Sequence, residues 1–488
     1  MLVTPDVNRP GDQDGIDARL GINRASWQSA GWRRCPILGA LGRGPPTLHR
    51  LKSRITSTGT RSQTQVTVAI VRPRAHFAAM LSLADIQRAR EQIADAIYLS
   101  PLARSESLSQ RTGNTVFLKL ENLQMTGSFK ERGAQYRMQA LSGVERQAGI
   151  IASSAGNHAQ AVAYVAQQLG IRATIVMPVH APLTKLVNTR GYGAEVILAG
   201  ETYADAYAVA CEHQSESGQV FVHPFDHQMV MAGQGTIGLE LLEQQPDLDA
   251  IIAPVGGGGL IGGIAVAIKE QAPQIEVIGV EAENFASASR SLSAGQVTAD
   301  AGIGSLADGI AVKQIGETTF PVLQRYVDRM VTVSEDQIAG AILALVESEK
   351  TVAEGAGAVS LAALLDGAAG LQGKRVAVLV SGGNIDVNLL SQIIERGLTR
   401  DGRRIRLAVQ VPDRPGSLAQ LTSIVAEVGA NVLEVIHERA FAAGPVGTTM
   451  VRLTLETRGQ THVAEVTRRL DSEGFSVRYS GRSAADPS

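Results

Sequence analysis

The stretch Leu120-Glu-Asn-Leu-Gln-Met-Thr-Gly-Ser-Phe-Lys-Glu-Arg-Gly-Ala134 joins a predicted strand to a predicted helix. The apolar run from Val116 to Leu120 favours a strand, and the turn after it leads to a helix with Lys130 in its first turn. Ser128 is the predicted N-cap of that helix. A cation is mildly unfavourable at the positive end of a helix, whereas a lysine with a lowered pKa can form a Schiff base with a carbonyl group. On its own, Lys130 is more simply explained as a surface charge.

The composition predicts a cytoplasmic, water-soluble protein of two or three domains. The chain has 488 residues, of which 44% are hydrophobic and 19% charged, and this length exceeds one ordinary domain. A net charge of −2 favours neither nucleic acid nor a membrane as a partner, and no apolar run is long enough to span a bilayer. The two cysteines, Cys35 and Cys211, cannot build a disulfide framework, which is typical of a reducing compartment.

Residues 1–79 differ in composition from the rest of the chain. From Ala18 to Ala79 no acidic residue occurs while arginines recur, a composition typical of transit peptides. The first 17 residues, however, contain the aspartates Asp6, Asp12, Asp14 and Asp17. Met80 precedes a helix-like segment and is an alternative translation start. We interpret residues 1–79 as a disordered or spurious extension rather than a targeting segment.

The rest of the chain divides into two regions that differ in their order of strands and helices. From Met80 to about Arg400, short apolar strands alternate with helices, which predicts an α/β fold with a mostly parallel sheet. In such sheets ligands bind at the carboxyl ends of the strands. Residues 401–480 follow a βαββαβ order, which predicts a separate ferredoxin-like domain, and residues 481–488 form a tail.

A second loop, Ser153-Ser-Ala-Gly-Asn-His-Ala-Gln160, lies between a predicted strand and a predicted helix. Backbone N–H groups at such a helix start bind anions. Ser154, Asn157 and His158 add side-chain donors that suit a carboxylate. Without the other loops, a plain helix start with a histidine in the core is the simpler interpretation.

A third loop, Val255-Gly-Gly-Gly-Gly-Leu-Ile-Gly-Gly263, follows another predicted strand. Its glycines allow the backbone to approach a phosphate and surround it with N–H donors. The same run contains the G-x-G-x-x-G pattern of dinucleotide-binding proteins, and Glu281 ends the next strand where a ribose-binding acid belongs. An NAD-dependent dehydrogenase therefore stays open as an alternative.

A fourth loop, Val380-Ser-Gly-Gly-Asn384, places Ser381 at a strand end. A neutral hydroxyl beside a pyridine nitrogen would leave that nitrogen unprotonated. The four loops together supply a helix-start lysine, a carboxylate site, a phosphate cradle and a strand-end serine. An enzyme that acts on an amino acid with lysine-bound pyridoxal phosphate (PLP) requires this combination, whereas a dehydrogenase does not explain Lys130.

These motifs resemble those of threonine dehydratase (threonine ammonia-lyase), in the tryptophan-synthase-β fold type of PLP enzymes. The resemblance covers residues 80–400 and implies a catalytic domain of two α/β subdomains. Residues 401–480, with the turns Asp413-Arg-Pro-Gly-Ser-Leu418 and Gly429-Ala-Asn-Val432, resemble an ACT domain. Such domains commonly bind amino acids at subunit interfaces and regulate the enzymes that carry them.

The resemblance also implies a role for each loop. Lys130 would hold PLP through a Schiff base, Phe129 would flank the ring, and Ser381 would face the pyridine nitrogen. Asn157 would bond the ring hydroxyl. The residues implied to cradle the phosphate are Gly256, Gly257, Gly258, Gly259 and Leu260. The residues implied to bind the substrate carboxylate are Ser154, Ala155, Gly156, Asn157 and His158.

The implied reaction is β-elimination of water from L-threonine or L-serine, followed by release of ammonia. Lys130 would remove the Cα proton, and the products would be 2-oxobutanoate or pyruvate. Ala155 stands where serine racemases of this fold carry a serine as acid/base, so racemisation is disfavoured. Those racemases also bind a metal through a glutamate and an aspartate six residues later. Glu281 matches, but Ser287 stands at the aspartate position, so we predict no metal site.

We expect a homodimer or homotetramer that isoleucine or valine regulates at the ACT domain. The role would lie in isoleucine biosynthesis or in threonine catabolism. Another PLP-dependent lyase, racemase or β-replacement enzyme of the same fold stays open. So does a chain that chiefly senses amino acids and carries an inactive enzyme domain.

Overall fold

The computed structural model describes residues 80–439 and 445–479. The predictions made for residues 1–79 and 481–488 lie outside the described residues. Within the described ranges, no helix combines the length and apolar character needed to cross a membrane.

Ten strands form two sheets in residues 80–400, all of which the structure describes. The strands are β1 Leu102–Ser105, β2 Thr115–Leu120, β3 Ile150–Ser153, β4 Ala173–Met177, β5 Glu195–Leu198, β6 Val220–Phe221, β7 Ala250–Pro254, β8 Glu276–Ala282, β9 Arg329–Val333 and β10 Arg375–Val380. The large lobe is built on the sheet β1-β2-β10-β7-β8-β9, and the small lobe on β5-β4-β3-β6. Every neighbouring pair is parallel except β1 and β2, which confirms the predicted α/β fold.

Fourteen helices accompany these strands in the same described region. They are α1 Leu83–Ile93, α2 Glu106–Thr112, α3 Lys130–Gln139, α4 Gly143–Ala148, α5 Asn157–Leu169, α6 Leu183–Gly191, α7 Tyr203–Ser217, α8 Gln228–Gln244, α9 Gly259–Lys269, α10 Ser287–Ala294, α11 Phe320–Tyr326, α12 Glu335–Glu349, α13 Gly355–Leu365 and α14 Val387–Arg400. The central strands β3, β4 and β7 are buried at every residue, because helices cover parallel sheets on both faces.

Helix α3 begins at Lys130, but its start differs from the sequence prediction. Phe129 is the N-cap residue, and its side chain makes no capping hydrogen bond within the described residues. Ser128 instead pairs with Gly382 in an isolated antiparallel bridge. The predicted N-cap was wrong because this long-range backbone pairing holds the residue away from the helix start.

A buried ion cluster anchors α3 to the rest of the large lobe. Arg132 Nη2 donates to Glu121 Oε1 (2.8 Å), and Arg132 Nη1 donates to Glu240 Oε1 (2.6 Å). Lys119 Nζ donates to the other oxygen of Glu240 (2.6 Å). Each of these four residues is at most 2% exposed. Buried charges persist only when paired, so the cluster fixes the helix that carries Lys130.

The C-terminal region has its own sheet and core. Its elements are β11 Arg404–Pro412, α15 Ser417–Glu427, β12 Asn431–Glu438, β13 Thr448–Glu456, α16 Gln460–Ser472 and β14 Ser476–Tyr479. The strand order is β12-β13-β11-β14, with all pairs antiparallel. Leu407, Val451 and Leu470 are completely buried between the sheet and the helices. This arrangement is the ferredoxin-like unit that the sequence predicts.

Candidate active site

Three neighbouring strands of the large sheet lead into three of the predicted loops. In sheet order, β2, β10 and β7 precede the segments that carry Lys130, Ser381 and the glycine run. In the small lobe, β3 leads into the loop Ser153–Gln160. The carboxyl ends of parallel strands are where α/β proteins bind ligands. The topology therefore directs the three large-lobe loops to one edge of the large sheet.

Hydrogen bonds join the small-lobe loop to the large lobe at this edge. Asn157 Nδ2 donates to Glu354 Oε1 (2.5 Å), and Asn384 Nδ2 donates to Asn157 Oδ1 (2.9 Å). Asn384 Nδ2 also donates to the carbonyl oxygen of Thr126, in the stretch before Lys130 (2.8 Å). The structure thus brings the second and fourth loops together with the first, and we call the place where these loops meet the cleft.

Lys130 is half-buried, and its amine is held at the cleft. Nζ donates to the carbonyl oxygen of Pro224 (2.9 Å) and lies 5.2 Å from the centroid of the Phe129 ring. Burial lowers the pKa of Lys130 to about 8, and the nearby carboxylate of Glu354 opposes this shift. The neutral amine is therefore far more abundant near neutral pH than in an ordinary lysine, as attack on a carbonyl requires.

The backbone of the glycine run is packed too closely for side chains. A Cβ at Gly257 would lie 2.2 Å from the ring of Phe225, and one at Gly259 would lie 2.8 Å from the Phe225 carbonyl oxygen. Gly258 has a φ of 91°, in the left-handed region that favours glycine. Gly257 and Gly259 accept only glycine, because a larger residue would displace the loop that contains Phe225.

The N–H groups of this run are available to an anion. Among the described residues, no carbonyl accepts a hydrogen bond from the backbone N–H of Gly256, Gly257 or Gly258. Gly259 and Leu260 open α9, and the first N–H groups of a helix have no partner within it. Several free donors at a helix N-terminus fit a phosphate group.

The loop after β3 is only partly available for ligand binding. Ser154 Oγ accepts the N–H of Gly156 (3.1 Å), which leaves its hydroxyl hydrogen free to donate. Ala155 packs against the small-lobe core, and the space beside Gly156 is open. Asn157 begins α5 and uses its amide in the contacts between the lobes.

The side chain of His158 lies in the small-lobe interior. Its Nε2 is 2.8 Å from the carbonyl oxygen of Val222, and the residue is 3% exposed. Burial, with the charge of Lys130, lowers the pKa of His158 to about 3, so the ring is neutral and donates from Nε2. We correct the expectation that this imidazole donates to a carboxylate, since Nε2 already binds the backbone. Among the described residues, no carbonyl accepts the backbone N–H of Ala155, Asn157 or His158, so these groups and the Ser154 hydroxyl stay available for that purpose.

Ser381 directly follows β10 and is 2% exposed. Its hydroxyl donates to the carbonyl oxygen of Ala356 (3.2 Å), and its own carbonyl accepts the N–H of Phe129 (3.1 Å). The first contact is long for an O–H donor. The fourth loop therefore lies directly against the start of α3.

Glu354 is a site residue that the sequence analysis did not identify. It is 2% exposed, directly precedes α13, and turns its carboxylate toward Asn157 instead of capping its own helix. Burial and the charge of Asp308 raise the pKa of Glu354 to about 7. The sequence does contain a signal for this residue. Glu354 is a charged residue that directly precedes the small and apolar run Gly355-Ala-Gly-Ala-Val359.

Glu281 does not face the glycine run as a ribose-binding acid would. Its carboxylate accepts the N–H groups of Ala288 (2.7 Å) and Ser289 (2.9 Å) and the Ser289 hydroxyl (2.6 Å). These donors belong to the first turn of α10, so the carboxylate stabilises a helix N-terminus. Glu281 is therefore already engaged and is not free to bind a ribose, as the dehydrogenase alternative requires.

Several buried oxygens at the cleft lack a partner. In the described part of the chain, no hydrogen bond reaches the buried side-chain oxygens Ser128 Oγ, Ser153 Oγ and Glu354 Oε2. Buried polar atoms almost always have partners, so these atoms fit a cleft that binds a polar ligand. A lysine with a lowered pKa and a glycine run with free N–H groups fit a ligand that carries both an aldehyde and a phosphate, as an enzyme's cofactor can.

Comparison with known proteins identifies the family. Residues 93–382 match the family described as pyridoxal-phosphate dependent enzyme. The chain is 50% identical over 402 residues to the L-threonine ammonia-lyase of Thermotoga maritima. The match covers 82% of this chain and 100% of that protein. The chain belongs to the pyridoxal-phosphate dependent enzymes, and its cofactor is PLP.

Solved structures agree with this assignment. The processed threonine deaminase isoform 2 from Solanum lycopersicum has a TM-score of 0.62 and 38% identity, covering 64% of this chain and 86% of that one. Maize serine racemase has a TM-score of 0.62 and 34% identity, and the match covers 66% of this chain and 99% of that one. The residues described above fit PLP, because they offer an amine for its aldehyde, N–H groups for its phosphate and buried polar groups for its ring.

Proposed function

We propose that this enzyme is a threonine ammonia-lyase. It converts L-threonine to 2-oxobutanoate and ammonia, and it accepts L-serine to give pyruvate. The observation that carries the proposal is the half-buried Lys130 at the start of α3, with its pKa lowered to about 8. The 50% identity to a protein named L-threonine ammonia-lyase supports the choice of substrate.

The chain's residues divide the work of holding the cofactor. Lys130 would bind the aldehyde carbon, and Phe129 would lie beside the ring. Asn157 would hydrogen-bond the ring hydroxyl, and Ser381 would hydrogen-bond the pyridine nitrogen. The phosphate would be held by the N–H groups of Gly256, Gly257, Gly258, Gly259 and Leu260. When bound, PLP supplies an electron sink for the bonds at the substrate Cα.

Lys130 is the residue proposed to remove the Cα proton of the substrate. The neutral amine of Lys130 would accept the Cα proton of the substrate, and its lowered pKa favours the neutral form that this role needs. The substrate carboxylate is held by the Ser154 hydroxyl and by backbone N–H groups at the start of α5. These contacts place the Cα–H bond toward the lysine, which is an orientation effect.

Elimination is favoured over racemisation because of Ala155. Racemisation needs a second proton donor on the opposite face of the substrate, and alanine has no proton to exchange. The similarity to maize serine racemase keeps a serine racemase as the second candidate. Measuring 2-oxo acid release from both amino acids, with D-serine formation in the same reactions, separates the two functions.

We also propose that residues 401–480 form an ACT domain that senses isoleucine or valine, and that the enzyme is a cytoplasmic homodimer or homotetramer. A cavity of about 350 Å³ lies at the turn 411–418 and is bounded by His437 and Arg439. Arg439 Nη2 lies 3.0 Å from Asp413 Oδ1, so opposite charges are present for an amino acid's two ends. Threonine deamination kinetics with and without each branched-chain amino acid test this proposal, on chains that start at Met1 and at Met80.

The central experiment is the absorption spectrum of the purified protein. The proposal predicts a visible band from lysine-bound PLP that disappears in Lys130→Ala. A protein without this band, or a band that survives the substitution, contradicts the proposed function.

A further inference from the structure

Glu354 contacts both the Asn157 loop and the Ser381 loop, and the backbone around it leaves room for this close approach. Its N–H donates to the carbonyl oxygen of Gly382 (3.1 Å), which holds it against the Ser381 loop. A Cβ at Gly382 would lie 2.3 Å from Glu354 Oε1, and one at Gly357 would lie 2.2 Å from the Gly382 carbonyl oxygen. The two glycines therefore make room for a carboxyl group at this point.

Glu354 and Asn384 hold the amide of Asn157 at its two ends. Glu354 Oε1 accepts from Nδ2 (2.5 Å), while Asn384 donates to Oδ1 (2.9 Å). These contacts fix which end of the amide is the donor. An amide nitrogen carries two hydrogens, so one N–H of Asn157 is left for a ligand in a defined direction.

The second carboxyl oxygen of Glu354 has no hydrogen-bond partner among the described residues, although the residue is 2% exposed. Charged groups face Glu354 from three elements: Lys130 of α3, Lys185 of α6 and Asp308 of the 3-10 helix Asp308–Ile310. Lys185 and Asp308 are themselves paired at 2.6 Å across the two lobes. Burial and Asp308 favour the neutral carboxyl, whereas Lys185, the Asn157 hydrogen bond and Lys130 favour the carboxylate.

We propose that Glu354 is a positioning residue for bound PLP, an inference that rests on the function proposed above. Its Oε1 orients Asn157, and its Oε2 hydrogen-bonds the edge of the ring that Asn157 binds. The protonation of Glu354 then changes how readily the ring hydroxyl ionises, because a charge near an ionisable group shifts its pKa. The visible spectrum of the cofactor reports this coupling without any turnover.

The first test is a pH titration of the visible absorption of the full-length, PLP-loaded protein between about pH 5 and 9. The wild type is expected to show a transition that Glu354→Gln, which keeps the side-chain shape, removes. In Glu354→Ala, the Kd for PLP is expected to rise about ten- to hundredfold, since a hydrogen bond to a charged group is lost. Glu354→Gln with the wild-type transition and Kd overturns the inference.

Two charge substitutions test the same coupling without altering Glu354. Asp308→Asn removes a negative charge and is expected to move the midpoint to lower pH. Lys185→Met removes a positive charge and is expected to move it to higher pH. Opposite shifts support the inference even if Glu354→Gln fails to fold, because a purely structural role moves neither midpoint. Shifts of the same sign, or none, overturn it. A wild-type protein that binds no PLP instead refutes the proposed function.

Discussion

Lys130 Nζ and the carbonyl oxygen of Pro224 are 2.9 Å apart, so a loop of the protein holds the amine at the cleft. The next residue, Phe225, is the one that a Cβ at Gly257 or Gly259 would strike. One short loop thus contacts both the lysine and the phosphate cradle. Displacing it from the glycine side should disturb the lysine as well.

Replacing Lys130 by alanine should abolish the covalent attachment of PLP and lower threonine deamination about 10³-fold or more, since both the nucleophile and the proton acceptor are lost. Absorbance and a 2-oxo acid assay measure the two effects. Lys374→Ala is the matched control, because that lysine is exposed and its side chain lies outside the cleft. Equal loss in the two variants would contradict the assignment.

The reactivity of Lys130 toward aldehydes should follow its lowered pKa. In PLP-free protein, the rate of Schiff-base formation at this residue should rise with pH and level off above about pH 8, because the amine is then neutral. An ordinary lysine levels off only above about pH 10.4. Borohydride trapping and peptide mass analysis, with Lys374 as the internal reference, give the profile. Identical profiles at the two lysines would refute the shift.

Gly259→Ala should weaken PLP binding at least about tenfold, because its Cβ would meet the backbone of Phe225 at the carbonyl oxygen and Cα. Equilibrium dialysis with PLP measures the change. Gly191→Ala is the control, since beyond its chain neighbours and the adjacent backbone of its own helix no atom of the described residues lies within 4 Å of the Cβ it would gain. If Gly259→Ala binds PLP as the wild type does, the cradle does not hold the phosphate.

Arg132→Met should destabilise the protein by about 3–5 kcal/mol, because it leaves the buried carboxylates of Glu121 and Glu240 without their shared partner. Thermal or urea unfolding measures the loss. Arg88→Ala, which removes an exposed ion pair with Asp85, should change stability little. Comparable destabilisation by the two substitutions would show that burial of the cluster has no special effect.

Ala155→Ser should introduce detectable D-serine formation, since a hydroxyl at this position supplies the second proton donor that racemisation needs. Chiral chromatography of reactions with L-serine measures the product. Ala155→Gly is the matched control, because it changes the side chain without adding a hydroxyl. D-serine formation by the wild type at the rate of elimination would contradict the role given to Ala155.

The order of strands and helices along the chain is enough to predict the fold class and the position of several site loops from the sequence alone. Buried strands such as β7 are short and continuously apolar, and their local sequence is sufficient to indicate a parallel sheet. Lys130, the glycine run and Ser381 were recognisable because each follows a strand, and in such folds the strand ends bind ligands. Chemistry encoded in short contiguous motifs is readable from the sequence.

Only the tertiary structure decided which side chains face the cleft. Ser128 forms a bridge with Gly382, and the imidazole of His158 binds the carbonyl of Val222. Glu354 meets Asn157 across 197 positions of sequence. Each of these contacts joins segments far apart in the chain. Local propensity carries no information about such partners, because long-range packing and the pairing of buried polar groups select them.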